Sequence, residues 1–213
     1  KFVKSTGRVL TIAGNGTNAY GGERIIATST SINEPAGLVV DTSGNVFFIE
    51  QSSFRIRRVT KAGIMQTIVG TGFKCSETWD GLPGTSTDLC EPSSLYIDSL
   101  GNLFWVETDF NILRKFTRRT SLVGTLLDKY GSGYVGNGLN ITSNPSQIFI
   151  NNAQGIWSNS RGDLFIADTY NYRVRSIVNQ IINTVAGNGY LSYGGDGGPA
   201  TSAYINSPNS VWG

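Results

Sequence analysis

The sequence contains no histidine, only two cysteines and no long apolar segment. Histidine is the base of Ser-His-Asp and Cys-His relays and a common zinc ligand, so its absence excludes these chemistries. No stretch approaches the roughly 18 apolar residues that a membrane-spanning helix needs, and residues 1–4 do not begin a signal-peptide pattern. We therefore expect a mature or truncated soluble chain with no membrane insertion, no cofactor and no metal.

The net charge does not indicate a class of binding partner. Seventeen basic residues face fifteen acidic ones, for a net charge of +2, whereas nucleic-acid modules usually carry a clearer basic excess. With 213 residues and 39% hydrophobic content, the chain is long enough to bury a substantial core. The composition predicts one folded unit.

The two cysteines, Cys75 and Cys90, lie in one polar stretch, CSETWDGLPGTSTDLC. A local disulfide is the favoured interpretation, and two free thiols in a cytosolic loop are the alternative. Two glycosylation sequons, which begin at Asn15 and Asn140, fall in loop-like segments. The cysteines and sequons together favour a secreted or cell-surface glycoprotein.

Three segments of the chain resemble one another: PAGLVVDTSGNVFFIE, PSSLYIDSLGNLFWVE and AQGIWSNSRGDLFIAD. Their turn glycines, Gly44, Gly101 and Gly162, lie 57 and 61 residues apart, and self-similarity at a nearly fixed interval is typical of repeat architectures. A second set, TIAG, TIVG, TLL and TVAG, recurs at a similar interval. The chain is therefore built from tandem repeats.

Each repeat has four short runs of strand-forming residues separated by turn residues. In the first full repeat these runs are Leu38–Asp41, Val46–Glu50, Arg55–Thr60 and Met65–Val69. A lone four-stranded sheet cannot cover both of its faces, whereas sheets stacked around an axis can. The pattern predicts an all-β propeller of four-stranded antiparallel blades.

Several segments carry a specific resemblance to a known family: GNLF, IADTYNYRVR, TVAGNG, YGGDGGPATSA and NSP. The chain resembles the NHL-repeat β-propellers over nearly its whole length, most strongly from Gly162 onward. The third repeat departs from the pattern, with Ala153 in place of Pro35 and Pro92, and Asn159 in place of Asp41 and Asp98. These departures concern the turns rather than the fold.

The predicted limits are a blade remnant at 1–14, blades at 15–70, 71–128 and 129–187, and the start of another blade at 188–213. The remnant holds strands at Lys1–Lys4 and Val9–Ala13, and the last strand is Val211–Gly213. This gives fifteen strands, a little under four blades. Because the resemblance implies six blades, we expect the chain to be part of a larger propeller; a small closed ring is the alternative.

Each repeat ends its second strand with an acid and places an arginine seven residues later: Glu50 and Arg57, Glu107 and Arg114, Asp168 and Arg175. One interpretation is a ring of acids that grips a cation or a sugar near the axis. The favoured one is a structural carboxylate–guanidinium bridge within each blade, since it recurs in every repeat and suits the planar arginine.

Each long connection has an aromatic residue ahead of a glycine: Tyr20, Trp79, Tyr134 and Tyr193. Exposed aromatic rings beside Asn and Asp can hold sugars or partner chains, and packing within the loop is the alternative. The segment Tyr193–Gly198 resembles a calcium turn, but its single carboxylate falls short of the six to eight oxygens that calcium takes. We predict no metal there.

The third strands carry the basic clusters RIRR, at 55–58, and RKFTRR, at 114–119. The resemblance includes RNA-binding propellers with a basic face, but the balanced charge favours a solvated strand. It also includes histidine-dependent lyases, whose ligands are absent here. The predicted function is thus a non-catalytic extracellular scaffold or adhesion propeller that contacts other chains or further domains, with self-assembly allowed. A carbohydrate- or peptide-binding module is the second hypothesis, and RNA binding the third.

Intact-mass measurement tests the secretory interpretation. A secreted glycoprotein should exceed the 22.9 kDa of the bare chain until its glycans are removed, and it should gain about two daltons on reduction of one disulfide. A bare mass of 22.9 kDa with free thiols would contradict secretion and direct attention to intracellular partners.

Overall fold

The computed structural model describes residues 1–127, 136–143 and 147–213. The strands of these residues form one two-stranded ribbon and three four-stranded antiparallel sheets. The ribbon consists of β1 (Phe2–Val3) and β2 (Arg8–Val9). The first sheet consists of β3 (Pro35–Val40), β4 (Val46–Glu50), β5 (Arg55–Val59) and β6 (Met65–Val69). The second consists of β7 (Pro92–Ile97), β8 (Leu103–Glu107), β9 (Ile112–Thr117) and β10 (Leu122–Leu127). The third consists of β11 (Gly155–Ser158), β12 (Leu164–Asp168), β13 (Arg173–Val178) and β14 (Ile181–Ala186).

In all three sheets the strands lie in chain order, as consecutive hairpins. Short 3-10 turns occur at Ala27–Ser29, Gln51–Ser53, Gly84–Ser86, Thr169–Asn171 and Ala200–Ser202. The fold is therefore the predicted all-β arrangement of propeller blades. No helix among the described residues is long and apolar enough to cross a membrane.

The turn between the first two strands of each sheet is fixed by one side chain. Asp41 Oδ1 accepts the amide hydrogens of Ser43 and Asn45, at 3.0 and 2.8 Å, and Gly44 supplies the positive φ of +84°. In the third sheet Asn159 replaces the aspartate and still accepts from two amides, those of Arg161 and Asp163. The departure of the third repeat at Asn159 thus leaves the turn intact.

Apolar side chains fill the spaces between neighbouring sheets. Between the first and second sheets lie Phe47, Ile49, Ile56, Val69, Leu89, Leu95, Leu103, Trp105, Phe116 and Val123. Between the second and third lie Phe104, Val106, Leu113, Leu127, Ile141, Ile148, Ile150, Ala153, Ile156, Leu164, Ile166, Ile177 and Ile182. The second sheet is covered on both faces, which explains why all five residues of β8 are buried.

The first strands of the sheets contact one another. A Cβ on Gly37 would lie 3.0 Å from the Leu95 amide nitrogen, so a glycine lets β3 approach β7. The Ile156 amide donates to Ser94 Oγ at 3.1 Å, which joins β11 to β7. These strands are the inner strands of the blades.

The predicted strands at the two ends of the chain are only partly formed. Of Val9–Ala13, only Val9 is in a strand, and the prediction of a strand at Val211–Gly213 is wrong. Residues 208–213 instead lie beside β11: Thr169 Oγ1 donates to the Pro208 carbonyl at 2.8 Å, and Ser210 packs on Gly155. A strand requires a neighbour to receive its hydrogen bonds, and no described strand lies on the outer side of this segment.

Gly70 is a position where side-chain size should limit stability. Its φ is +106°, and a Cβ there would clash with the Phe54 carbonyl oxygen and lie 2.8 Å from Arg55 Cα. We expect Gly70→Ala to lower the free energy of unfolding by about 3 kcal/mol or more, measured by urea denaturation.

The matched control is Gly44→Ala. Gly44 has a similar φ of +84°, but a Cβ added there would have nothing within 4 Å. The Gly44→Ala substitution should therefore cost only the strain of a left-handed backbone, about 1 kcal/mol. Equal losses in the two variants would show that the close approach at Gly70 does not matter.

Candidate functional site

The structure brings each repeat-equivalent acid to its arginine. A carboxylate oxygen of Glu50 lies 3.2 Å from a guanidinium nitrogen of Arg57. The side chains of all three acids and all three arginines are fully buried. The other two oxygen–nitrogen distances are 4.0 Å for Glu107–Arg114 and 3.5 Å for Asp168–Arg175. Each acid ends a second strand and each arginine lies on the neighbouring third strand. Because these carboxylates lie inside their blades, the geometry supports the structural interpretation rather than an open acidic ring.

Each acid also receives a backbone amide from the segment that enters its blade. Asp168 Oδ1 accepts from the Asn151 amide at 2.7 Å, and Glu50 and Glu107 accept from the amides of Asn33 and Cys90. The acid therefore joins the entering segment to the second and third strands.

Burial dominates the ionisation of these acids. It raises the pKa of Glu107 to about 7, although Arg114 and the Trp105 indole, which donates to Oε1 at 2.8 Å, act in the opposite direction. Burial likewise raises the pKa of Glu50 and of Asp168, against the effect of their arginines and hydrogen-bond donors.

The arginines of the first two blades reach a second partner on the long loop before each blade. Arg57 donates to the Gly22 carbonyl and lies 3.6 Å from Glu23. Arg114 donates to the Trp79 carbonyl at 3.1 Å, and its guanidinium lies 3.7 Å from the neighbouring carboxylate of the same loop. A guanidinium offers five donors in a plane, so one side chain can bind both the blade interior and the loop.

The loops contain a second set of repeat-equivalent polar residues that sequence reasoning missed. Glu23, Asp80 and Asn137 each accept the backbone amide of a threonine on the fourth strand of the same blade. The nitrogen–oxygen distances are 2.8 Å at Thr67, 3.0 Å at Thr125 and 2.6 Å at Thr184. The recurring threonine of the TIVG, TLL and TVAG segments was the available signal.

The predicted loop aromatic residues differ in their surroundings. Tyr20 lies over the Arg55 guanidinium, 4.0 Å from the ring centre, and its hydroxyl donates to Glu23 at 2.8 Å. Trp79 and Tyr193 are exposed, by 64% and 86%. Tyr134 lies outside the described residues. The cavity of about 430 Å³ beside Tyr20 contains no other member of this set, so the described part of the set does not converge on it.

The loop at 71–91 is held by several constraints. A disulfide joins Cys75 to Cys90, with both cysteines buried. Lys74 forms ion pairs with Glu91 and Asp109, at 2.9 and 2.7 Å. Phe73, which sequence reasoning did not single out, is 74% exposed on this loop, together with Trp79. The loop thus presents two aromatic side chains next to a covalent crosslink.

Glu107 and the sulfurs of Cys75 and Cys90 lie within 4.8 Å of one another. Thiolates are the cysteine form that binds zinc, and the disulfide occupies both sulfurs. The described residues therefore give no reason to assign a metal to this group.

Residues of the basic clusters form local contacts. Arg55 donates to the carbonyl oxygens of Ser53 and Thr71, at 3.0 and 2.6 Å. Arg58 donates to Gln66, and Lys115 lies 5.3 Å from the centre of the Phe104 ring. These contacts do not favour a phosphate-binding surface.

Both sequons lie in loops and form local hydrogen bonds. Asn15 Oδ1 accepts from the Thr17 amide at 2.9 Å, and its Nδ2 donates to the Ser29 carbonyl. Asn140 Oδ1 accepts from the Thr142 amide and hydroxyl, at 2.9 and 2.7 Å. Glycosylation at Asn15 and Asn140 remains a prediction.

The comparisons with known proteins agree with this fold. The family model described as the Teneurin NHL domain matches residues 3–195. None of the curated protein sequences compared with the chain matches it.

Solved structures show the same architecture at low identity. An auxiliary nutrient binding protein from Bacteroides ovatus has a TM-score of 0.63 and 12% identity over 94% of this chain and 49% of its own. An auxiliary nutrient binding protein from Bacteroides thetaiotaomicron has a TM-score of 0.62 and 14% identity, over 93% of this chain and 49% of its own. A chain of a nidogen/laminin complex has a TM-score of 0.50 and 18% identity, over 71% of this chain and 48% of its own. The chain thus spans about half the length of these structures.

The raised pKa of Glu107 predicts a pH-dependent stability. Between its ordinary pKa of 4.5 and about 7, the folded protein holds a proton that the unfolded chain releases, so the free energy of unfolding should fall as pH rises through this window. The loss from this residue should be at most about 3 kcal/mol.

Glu107→Gln mimics the neutral carboxyl. It should match the parent near pH 5 and be the more stable of the two at pH 8, in urea denaturation at both pH values. Glu77→Gln, at an exposed position, is the control, and its stability should follow that of the parent at both pH values. The same pH dependence in the parent and in Glu107→Gln would show that Glu107 ionises as freely in the folded protein as in the unfolded chain.

Proposed function

We propose that this chain, which belongs to the Teneurin NHL domain family, is a non-catalytic extracellular propeller module that binds other proteins. The observation that carries the proposal is the loop at 71–91, where Phe73 and Trp79 are exposed beside the Cys75–Cys90 disulfide. The two predicted sequons and the disulfide support an oxidising, secretory location.

The chemistry of this loop suits protein recognition. Large aromatic side chains carry much of the binding energy at protein interfaces. A loop that is ordered before binding loses less conformational entropy on association, and a disulfide together with the ion pairs of Lys74 provides that order. Phe73 and Trp79 therefore serve as anchors on a fixed loop.

Other observations favour binding over catalysis. The three repeat-equivalent acids are buried against arginines, where they stabilise the blades. The sequence has no histidine for a general base. The fold also occurs in a chain of a nidogen/laminin complex, so it is compatible with a module of a protein assembly.

A carbohydrate-binding module is the second candidate. It is favoured by the exposed Trp79 and Tyr193, since sugar rings stack on such faces. RNA binding is less favoured, because arginines of the basic clusters are engaged within the fold.

The test uses a multimerised form of the chain, screened on arrayed purified extracellular protein domains and on arrayed glycans. We expect saturable binding to a protein, and we expect Phe73→Ala and Trp79→Ala each to weaken it at least about tenfold, the usual effect of removing an interface anchor. Surface plasmon resonance on the captured partner gives the dissociation constants.

Leu100→Ala is the matched control, because Leu100 is a large apolar residue 74% exposed on a hairpin turn outside the loop. Its binding should equal that of the parent chain. Aromatic-dependent binding to glycans alone would support the second candidate, and protein binding unaffected by both aromatic substitutions would refute the role of this loop.

A further inference from the structure

The cavity beside Tyr20 lies between the loops that precede the first and second blades, against the outer strands β5 and β6 of the first sheet. Its volume of about 430 Å³ falls within the range of small-molecule sites, about 300–1,000 Å³. Among the residues that line it, Ile68 has the single aliphatic side chain. The cavity therefore suits a polar ligand rather than an apolar one.

The lining of the cavity carries a surplus of positive charge. Three arginines line it against one carboxylate, that of Glu23. Glu23 lies 3.6 Å from the guanidinium of Arg57, which is outside the lining, so its charge is already compensated. Within the described parts of the chain, the three arginines of the lining form no ion pair; they are Arg24, Arg55 and Arg58. The cavity thus attracts an anion.

Two of these arginines have donors left for a ligand. The Arg24 side chain is exposed and has no hydrogen-bond partner among the described residues. Arg58 donates from one terminal nitrogen to Gln66, and its other terminal nitrogen has no partner in the described ranges 1–127, 136–143 and 147–213. Arg24 and Arg58 are therefore the groups that can bind an anion directly.

Arg55, by contrast, belongs to the structure of the blade. Its two terminal nitrogens donate to the carbonyl oxygens of Ser53 and Thr71, at 3.0 and 2.6 Å. Arg173 forms the equivalent two bonds in the third blade, to the carbonyl oxygens of Asn171 and Asn188. Arg55 adds to the positive charge of the cavity, but its terminal nitrogens are already occupied.

Comparison between blades shows that folding does not require an arginine at position 24. The amides of Arg24, Gly81 and Gly138 each donate to a carbonyl on the fourth strand of their own blade, so the three residues are equivalent. All three have a left-handed backbone, with φ of +56°, +78° and +80°. Glycine adopts this conformation without the steric strain that an arginine bears. Strained backbone of this kind clusters at functional sites.

The other polar residues of the cavity are also particular to the first blade. Strand pairing places Lys115 and Ser176 at the position of Arg58, and Gly124 at the position of Gln66 in the second blade. Residues that the repeat needs for its fold recur, as the buried acid–arginine pairs do. The arginines at positions 24 and 58 therefore point to a role beyond folding.

We propose that this cavity binds an acidic sugar, with the sugar carboxylate on Arg24 and Arg58. The two oxygens of a carboxylate match the parallel N–H donors of a guanidinium. Gln66 and Thr85 place an amide and a hydroxyl in the same lining, where they can bind the hydroxyl groups of a sugar ring. An acidic side chain of a protein would satisfy the arginines but would leave much of the cavity unfilled.

The probe is sialyllactose, a trisaccharide that ends in a sugar with a carboxylate, and lactose is its neutral counterpart. We expect saturable binding of sialyllactose to the full chain by isothermal titration calorimetry. Lactose should bind at least about tenfold more weakly, because it cannot form the charge-assisted hydrogen bonds.

Arg24→Gly gives the first blade the residue of the other two blades. It should weaken sialyllactose at least about tenfold, since one of the two carboxylate-binding groups is lost. The midpoint of urea unfolding should not fall, because glycine relieves the left-handed strain. A structural role of Arg24 would lower that midpoint.

Arg58→Lys gives the first blade the residue of the second. It should weaken sialyllactose about fivefold, because lysine keeps the charge but not the planar pair of donors. Arg119→Ala is the matched control, since it removes an exposed arginine outside the cavity and should leave the affinity unchanged.

Three outcomes would overturn the proposal. The first is that lactose binds as well as sialyllactose or that neither binds, and the second is that neither Arg24→Gly nor Arg58→Lys weakens the binding. The third is that a glutamate-rich peptide binds through Arg24 while sialyllactose does not, so that the carboxylate comes from a protein. Phe73 and Trp79 do not line this cavity, so failure here leaves the test of the proposed function intact.

Discussion

In the first two blades a buried guanidinium holds together parts of the chain that are far apart in sequence. Arg57, for example, contacts Glu50 on the neighbouring strand and the loop residues Gly22 and Glu23. Removing the arginine of such a buried pair leaves the carboxyl group without its counter-ion, and breaking buried ion pairs costs about 3–5 kcal/mol in other proteins. The rest of the blade depends on this contact, because the hairpins alone do not determine where the long loop lies.

The position of the long loop also matters for burying each sheet. Four strands carry two apolar faces, and their burial depends on the next sheet and on the loop that closes the outer edge. In the first two blades the arginine fixes that loop from inside the blade. In all three blades Glu23, Asp80 or Asn137 fixes the loop from outside through the fourth-strand threonine. Stability therefore comes from each blade and its neighbours, as expected for a repeat protein.

Much of this architecture could be predicted from sequence, because it recurs. The pattern of apolar residues predicted the exact bounds of β4 and β6. The seven-residue spacing between each acid and its arginine indicated the ion pairs. The loop acids were missed because Asp80 follows Trp79 directly, whereas Glu23 comes three residues after Tyr20, so the loops do not align by eye. The exposure of Trp79 and the stacking of Tyr20 on Arg55 depend on contacts across the blade, which single-sequence spacing does not contain.

The strand predicted at Val211–Gly213 shows the limit of pattern reasoning in the other direction. Its residues match the inner strands of the other blades, and its backbone lies against β11 as β7 lies against β3. What it lacks is a partner for its hydrogen bonds, since a strand is defined by its neighbour as much as by its own residues. The loop before it is formed all the same, because its internal bonds, such as Gly187 to Ala200, do not need that neighbour. In this repeat the loop is therefore held by bonds of its own as well as by the strand that it covers, which Gly70 to Gly84 and Gly187 to Ala200 show in equivalent positions.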